Sequence, residues 1–220
     1  SEEGIVGENI SADLLDNPIK IQAATGINGT SNIFISGTLD IARYLKQRFI
    51  VLKDVVAGQA EVNAVFKLPS LFIADAKEKM IITASSNLKG LALDLPEPLK
   101  KSATSSMPIN LSYDVTTQSL ELNLNNLLYL NMGHSEEGLS PQSIVLGGDA
   151  GSESSELVSG HWSQVDPIAW YDFYQKNMQL SEASVISLLP EFSLHFNELL
   201  LANLPAKDIY LNGRYQGQDY

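Results

Sequence analysis

Apolar residues recur at every second position along most of this chain, the period of a strand with one face buried and one face in water. Ala60, Val62, Ala64, Phe66 and Leu68 form one such run, ended by Pro69. Ile109, Leu111, Tyr113 and Val115 form another. Leu120, Leu122 and Leu124 follow it, spaced by Glu121, Asn123 and Asn125, with a turn expected over Thr116 to Ser119. Ile19 and Ile21, Ile33 and Ile35, Phe192 to Phe196, and Ile209 with Leu211 repeat the pattern. Asn28-Gly29 reads as a tight turn between two of these runs. A chain patterned this way folds as a sheet, because a one-residue slip would turn every buried side chain outward.

Two stretches change period. Residues 40–57 place Ile41, Leu45 and Phe49 at helical spacing, which predicts one or two short amphipathic helices. Residues 166–178 open with Asp166 as N-cap and Pro167 at the first helical position, with Trp170, Phe173 and Tyr174 on one face. Residues 133–141 and 147–155 are polar and glycine-bearing, and read as loops, the second flexible. No fixed-period repeat divides the 220 residues, so the expectation is one β-rich domain over residues 1–220.

The segment 84–101, ASSNLKGLALDLPEPLKK, interrupts the rhythm. Met80, Ile82, Ala84 and Leu88 share one phase, while Leu91, Leu93 and Leu95 take the other. A β-bulge at Lys89-Gly90 would flip the face and bend the strand. Pro96 and Pro98 then end pairing, and Lys100 and Lys101 would keep the exit solvated. Such a curved sheet has two uses: closing over a dry core, or staying open as an apolar trough.

Composition narrows the chemistry. A net charge of −12 repels phosphate backbones, which argues against nucleic acid as a partner. Without cysteine there are no thiolate ligands, thiol nucleophiles or disulfides. His134, His161 and His195 lack metal-ligand spacing; His195 falls on the polar phase of a strand, the other two beside loops. There is no G-x-S-x-G elbow, and LGGDAG lacks the lysine of a phosphate loop. Asp166 and Asp172, six apart on a helix, do not face each other. No catalytic constellation, cofactor motif or metal set emerges, so the expectation is a protein that is not an enzyme.

Residues 85–103, SSNLKGLALDLPEPLKKSA, resemble a signature of the AsmA-like envelope proteins of YhdP type, matched by Ser86, Asn87, Leu88, Gly90, Leu91, Ala92, Leu95, Pro96, Pro98, Leu99 and Lys101. Gly160, Val165, Asp166 and Trp170 match a second family segment, and residues 192–220 resemble the strand pair by which these sheets proceed. The first eighty residues share only the alternating style. The resemblance implies a mainly β fold: a curved, twisted antiparallel sheet forming an open groove or half-barrel, with one or two short helices. It also implies that these residues are a segment of a longer periplasmic chain, tethered to the inner membrane by a helix outside them. Its proposed role is conduction of phospholipids to the outer membrane, in support of the permeability barrier. The partners implied are phospholipid acyl chains, the remainder of the chain and other envelope proteins, with no cofactor. The in-phase residues expected to line the groove are Leu91, Leu93, Ile109, Leu111, Tyr113, Leu120, Leu122, Leu124, Phe192, Leu194 and Phe196. The alternative is a structural or assembly module of the envelope, with a filled core and no lipid.

Overall fold

A computed structural model of the chain describes residues 6–26, 29–48, 54–69, 79–136, 138–147, 156–177, 191–201 and 204–213. Within them lie fourteen strands and two helices. These are β1 (Val6–Leu14), β2 (Asn17–Thr25), β3 (Ser31–Leu39), α1 (Ile41–Arg48), β4 (Val56–Gly58), β5 (Ala60–Leu68), β6 (Ile81–Ser86) and β7 (Leu91–Leu93). Then come β8 (Ile109–Asp114), β9 (Ser119–Leu124), β10 (Leu128–Ser135), β11 (Gly138–Leu146), β12 (Val158–Val165), α2 (Pro167–Asn177), β13 (Phe192–Leu201) and β14 (Leu204–Gly213).

Twelve strands form one sheet in the order β1-β2-β3-β5-β6-β8-β9-β10-β11-β12-β13-β14, while β4 and β7 pair separately. The sheet is twisted and does not close into a barrel. The alternation therefore reads the architecture correctly: mainly β, open, with two short helices. The expected wholly antiparallel pairing fails in one place, since β11, β12 and β13 run parallel. Parallel neighbours need a crossover, and α2 lies in the one between β12 and β13. Asp166 caps that helix as its sequence suggests: Oδ1 accepts hydrogen bonds from the amides of Ile168 at 2.9 Å and Ala169 at 3.0 Å. Asp40 does the same for α1, through the Arg43 amide at 2.9 Å.

The predicted β8–β9 hairpin forms. Asp114 Oδ1 accepts from the Thr116 and Thr117 amides in its turn, at 2.9 and 3.2 Å. The loop expected over 133–141 is instead a hairpin of β10 and β11, paired up to Ser135↔Gly138. A bulge between Asn131 and Met132 lets Pro141 sit inside it, where a proline lacks a ladder donor. His134 and His161 accordingly lie within β10 and β12, not beside loops. Asn28, Phe49 and residues 148–155 lie outside the described residues.

The glycine at position 90 has a different role from the one its phase suggested. There is no bulge within a continuous strand: the chain leaves the main sheet after Ser86. Leu88 and Gly90 then take positive φ values of 51° and 99°. A Cβ on Gly90 would stand 2.4 Å from the Gln59 carbonyl oxygen, so the turn closes only with glycine there. Residues 87–107 fold into a plug held by backbone bonds. The Gly90 amide reaches Ala103 O at 2.7 Å, the Asp94 amide Val55 O at 2.8 Å, and the Met107 amide Asn87 O at 2.8 Å. Lys101 is not the solvated exit residue its position implied, being only 4% exposed. Its ammonium donates to Leu91 O at 2.6 Å and Ser102 O at 2.9 Å, and burial lowers its pKa from the ordinary lysine value. Lys100 does stay in water, with its side chain 59% exposed.

Candidate functional site

The register sorts side chains into rows that cross the strands. Partners directly opposite share a face, and each strand alternates between faces. Starting from Ile21 the pairing runs through Ile35, Ala64, Ala84, Leu111 and Leu122, then Leu130, Ile144, Val158 and Phe192. Every member is apolar, and every one is half-buried, neither sealed nor fully exposed. The row spans ten neighbouring strands, about 43 Å at strand spacing. An upper row runs beside it through Ile33, Phe66, Ile82, Tyr113, Leu120 and Met132, also half-buried throughout. On the opposite face the corresponding row is polar from β2 to β9, through Lys20, Ser36, Asn63, Ser85, Asn110 and Asn123, and then passes to Tyr129 and the buried Val145.

The lower row of the apolar face, including Ile109, Leu124, Leu128, Leu146 and Leu194, is covered. The plug lays Leu88, Leu91, Leu99 and Met107 on it, α1 adds Ala42, and α2 brings Trp170 and Phe173. The helix and plug are tied together, since Trp170 Nε1 donates to Glu97 O at 3.0 Å. Trp162 and Trp170 stack with centroids 6.0 Å apart, and Trp162 Nε1 is satisfied by Leu127 O at 2.8 Å. Ala60 of β5 and residues of every strand from β8 to β14 belong to this one cluster or pack against it.

The residues expected to line a trough therefore part company. Leu111, Tyr113, Leu120 and Phe192 lie in the two uncovered rows, and Leu122, in register with Leu111, packs against the cluster from the edge of the middle row. Ile109 and Leu194 lie in the covered row and pack against the cluster. Leu124 and Phe196 are buried within it, at 9% and 6% exposure. Leu91 and Leu93 are not on the sheet's face at all. They belong to β7 in the plug, and Leu91 is 2% exposed. Phase alone could not separate these groups, because a plug residue and the sheet residue it covers alternate alike. Ile21, Ile35, Phe66, Ile82 and Leu130 belong to the uncovered rows too. Their alternation was visible in the sequence, but only the strand order joins them to the rest.

Among the described residues no three histidine, aspartate or glutamate side chains gather as a metal set. Asp114 pairs with Lys79 at 2.8 Å, and that bond, with help from the turn amides, lowers its pKa to about 2. Among the described residues, no helix is long and apolar enough to cross a membrane.

An open sheet with a polar outer face, and an apolar inner face whose covered and uncovered rows run side by side, defines a β-groove protein. The chain matches the model of the YhdP protein family over residues 1–220 and belongs to that family, which makes it an envelope protein of the AsmA-like type. The match extends through the first eighty residues, which carry none of the quoted motifs. No curated protein and no solved structure matches the chain.

Proposed function

We propose that the uncovered rows form a lane for phospholipid acyl chains, and that this periplasmic segment conducts lipid between the inner and outer membranes without chemical conversion. The observation that carries the reading is the half-buried apolar row of ten strands from Ile21 to Phe192. Its length of about 43 Å exceeds the roughly 15 Å spanned by the hydrocarbon of one leaflet. Each methylene kept from water is worth about 0.8 kcal/mol, so a continuous lane can shield a tail along its whole path. Apolar contact is non-directional, and a row of similar weak sites lets a tail advance where one deep pocket would hold it.

The buried cluster beneath the plug favours a second reading, a structural module whose apolar face is spent on its own core. Lipid extraction and mass spectrometry of the purified chain, with a Leu111→Asp variant beside it, separate the two. Leu111 is half-buried and lies outside the cluster. The lane predicts co-purifying phospholipid that is lost in a folded variant. Lipid-free protein that takes up no phospholipid from vesicles overturns the lane. So does a Leu111→Asp chain that unfolds, as a buried unpaired carboxylate would make it do.

A further inference from the structure

Along the two uncovered rows almost every side chain is pure hydrocarbon. The exceptions are the Met132 thioether and the Tyr113 hydroxyl. Tyr113 stands in the upper row on β8, between Ile82 of β6 and Leu120 of β9, and two residues beyond Leu111 of the middle row. None of these neighbouring side chains can accept a hydrogen bond. Tyr113 is half-buried, and its hydroxyl meets no hydrogen-bond partner among the described residues. It is not sealed either, since the phenol oxygen that is both buried and unpartnered belongs to Tyr174 on α2. A donor without an acceptor in the protein therefore opens into the lane.

Its place along the strand gives that donor a use. Directly beyond it the chain turns polar: Thr116, Thr117 and Gln118 are exposed, Thr117 Oγ1 and Ser119 Oγ lie 2.8 Å apart, and Lys79 pairs with Asp114. On the other side lie only the hydrocarbon side chains of the middle row. Tyr113 thus marks the boundary between the lane and a wet rim, where a ring with an apolar body and a polar tip is well placed. Three residues of strand, about 10 Å, separate it from Thr116. The head-group layer of one bilayer leaflet is comparable, roughly 5–8 Å deep.

We infer that Tyr113 is a specificity-determining residue of the lane, its hydroxyl donating to the ester carbonyl at which an acyl tail joins its head group. The inference rests on the lane reading and names what the lane recognises besides hydrocarbon. With the ester at Tyr113, the tail lies among apolar side chains and the head group reaches water at the 116–119 turn. A lipid whose chains are joined by ether oxygens has the same hydrocarbon and lacks the carbonyl. A free fatty acid carries similar oxygens with a negative charge, which a chain of net charge −12 disfavours.

The test is calorimetric titration of the parent chain and of Tyr113→Phe with dioctanoyl phosphatidylcholine, its dioctyl ether analogue and octanoate. The parent should hold the ester about fivefold more tightly than the ether, the worth of one net hydrogen bond, and more tightly than octanoate. In Tyr113→Phe the ester-to-ether ratio should fall to about one. The variant should melt with the parent, because the lost hydroxyl bonds nothing in the protein. A parent without ester preference overturns the contact, and so does a preference that survives in Tyr113→Phe; in both cases the lane stands, because the hydrocarbon still binds. A variant that melts several degrees lower overturns it as well, since the hydroxyl then serves the fold. Octanoate held more tightly than the ester, with that preference lost in Tyr113→Phe, overturns the assignment to an ester. Binding of none of the three overturns the lane and the contact with it.

Discussion

The sharpest test of an open lane is to fill it from its floor. Ala84 lies in the middle row, in register with Ala64 on one side and Leu111 on the other, and is half-buried. Ala84→Phe points a phenyl ring into the lane. If that space belongs to a ligand, the folded protein has room for the ring, and stability changes by no more than about 0.5 kcal/mol. If the space belongs to the protein's own packing, overpacking costs about 2 kcal/mol, which for a chain of this length lowers the melting temperature by about 4–8 °C. The ligand side moves oppositely. A ring that displaces about three methylenes of a tail removes about 2 kcal/mol of burial, or roughly thirtyfold in affinity. Differential scanning fluorimetry and a titration with a fluorescent fatty acid measure both quantities on one preparation. Unchanged melting with lost tail binding is the expected pair. A drop of several degrees with tail binding intact would refute the lane.

Two further expectations concern what holds the groove in shape. Asp166→Ala removes the acceptor for two amides at the start of α2, and should cost about 1 kcal/mol in urea unfolding; a variant as stable as the parent would show that the cap is not needed. Asp114 has a folded pKa of about 2 against an ordinary 3.8, so its share of stability is complete above about pH 4 and is lost as pH falls through about 2. Because the Lys79 bond is the largest cause of that shift, Lys79→Met should be the less stable protein at pH 7, with the difference from the parent shrinking between pH 4 and pH 2. A gap that holds constant over that range would mean the pair contributes nothing.

Alternation made the strands legible, and capping chemistry made α2 legible, because both are local: a period of two, and an Asp-Pro at a helix start. The plug was not legible for a physical reason. Leu88 and Leu91 alternate as strand residues do, and the phase flip at Gly90 is common to a bulge and to a chain turning off the sheet. What separates the two outcomes is the Gly90 amide reaching Ala103 O and a Gln59 carbonyl crowding the glycine, contacts made with residues far from the flip or in another element. Lys101 misled for a similar reason, since an ammonium on a turn reads as solvated until two backbone carbonyls close around it. The parallel β11–β12–β13 block was hidden because parallel and antiparallel strands of this length carry the same period.

The division of rows explains how one apolar face can serve two ends. An open twelve-stranded sheet has too little self-contact to stand on pairing alone, and needs an apolar cluster somewhere. The cluster is concentrated over the lower part of that face, where Leu88, Leu91, Leu99 and Met107 of the plug and Leu124, Trp162, Val165, Phe196 and Leu199 of the sheet are each 9% exposed or less. The plug and α2 supply the missing layer there, and their mutual bond through Trp170 and Glu97 makes them one cover. With stability concentrated below, the middle and upper rows need not be sealed, and none of the residues from Ile35 to Val158 along the middle row is buried. A sheet that used the whole face for its own core would show the reverse, with its lowest exposures in the central row. On this reading the signature around Gly90 serves the groove indirectly: it anchors the cover, and the cover lets the neighbouring rows stay open.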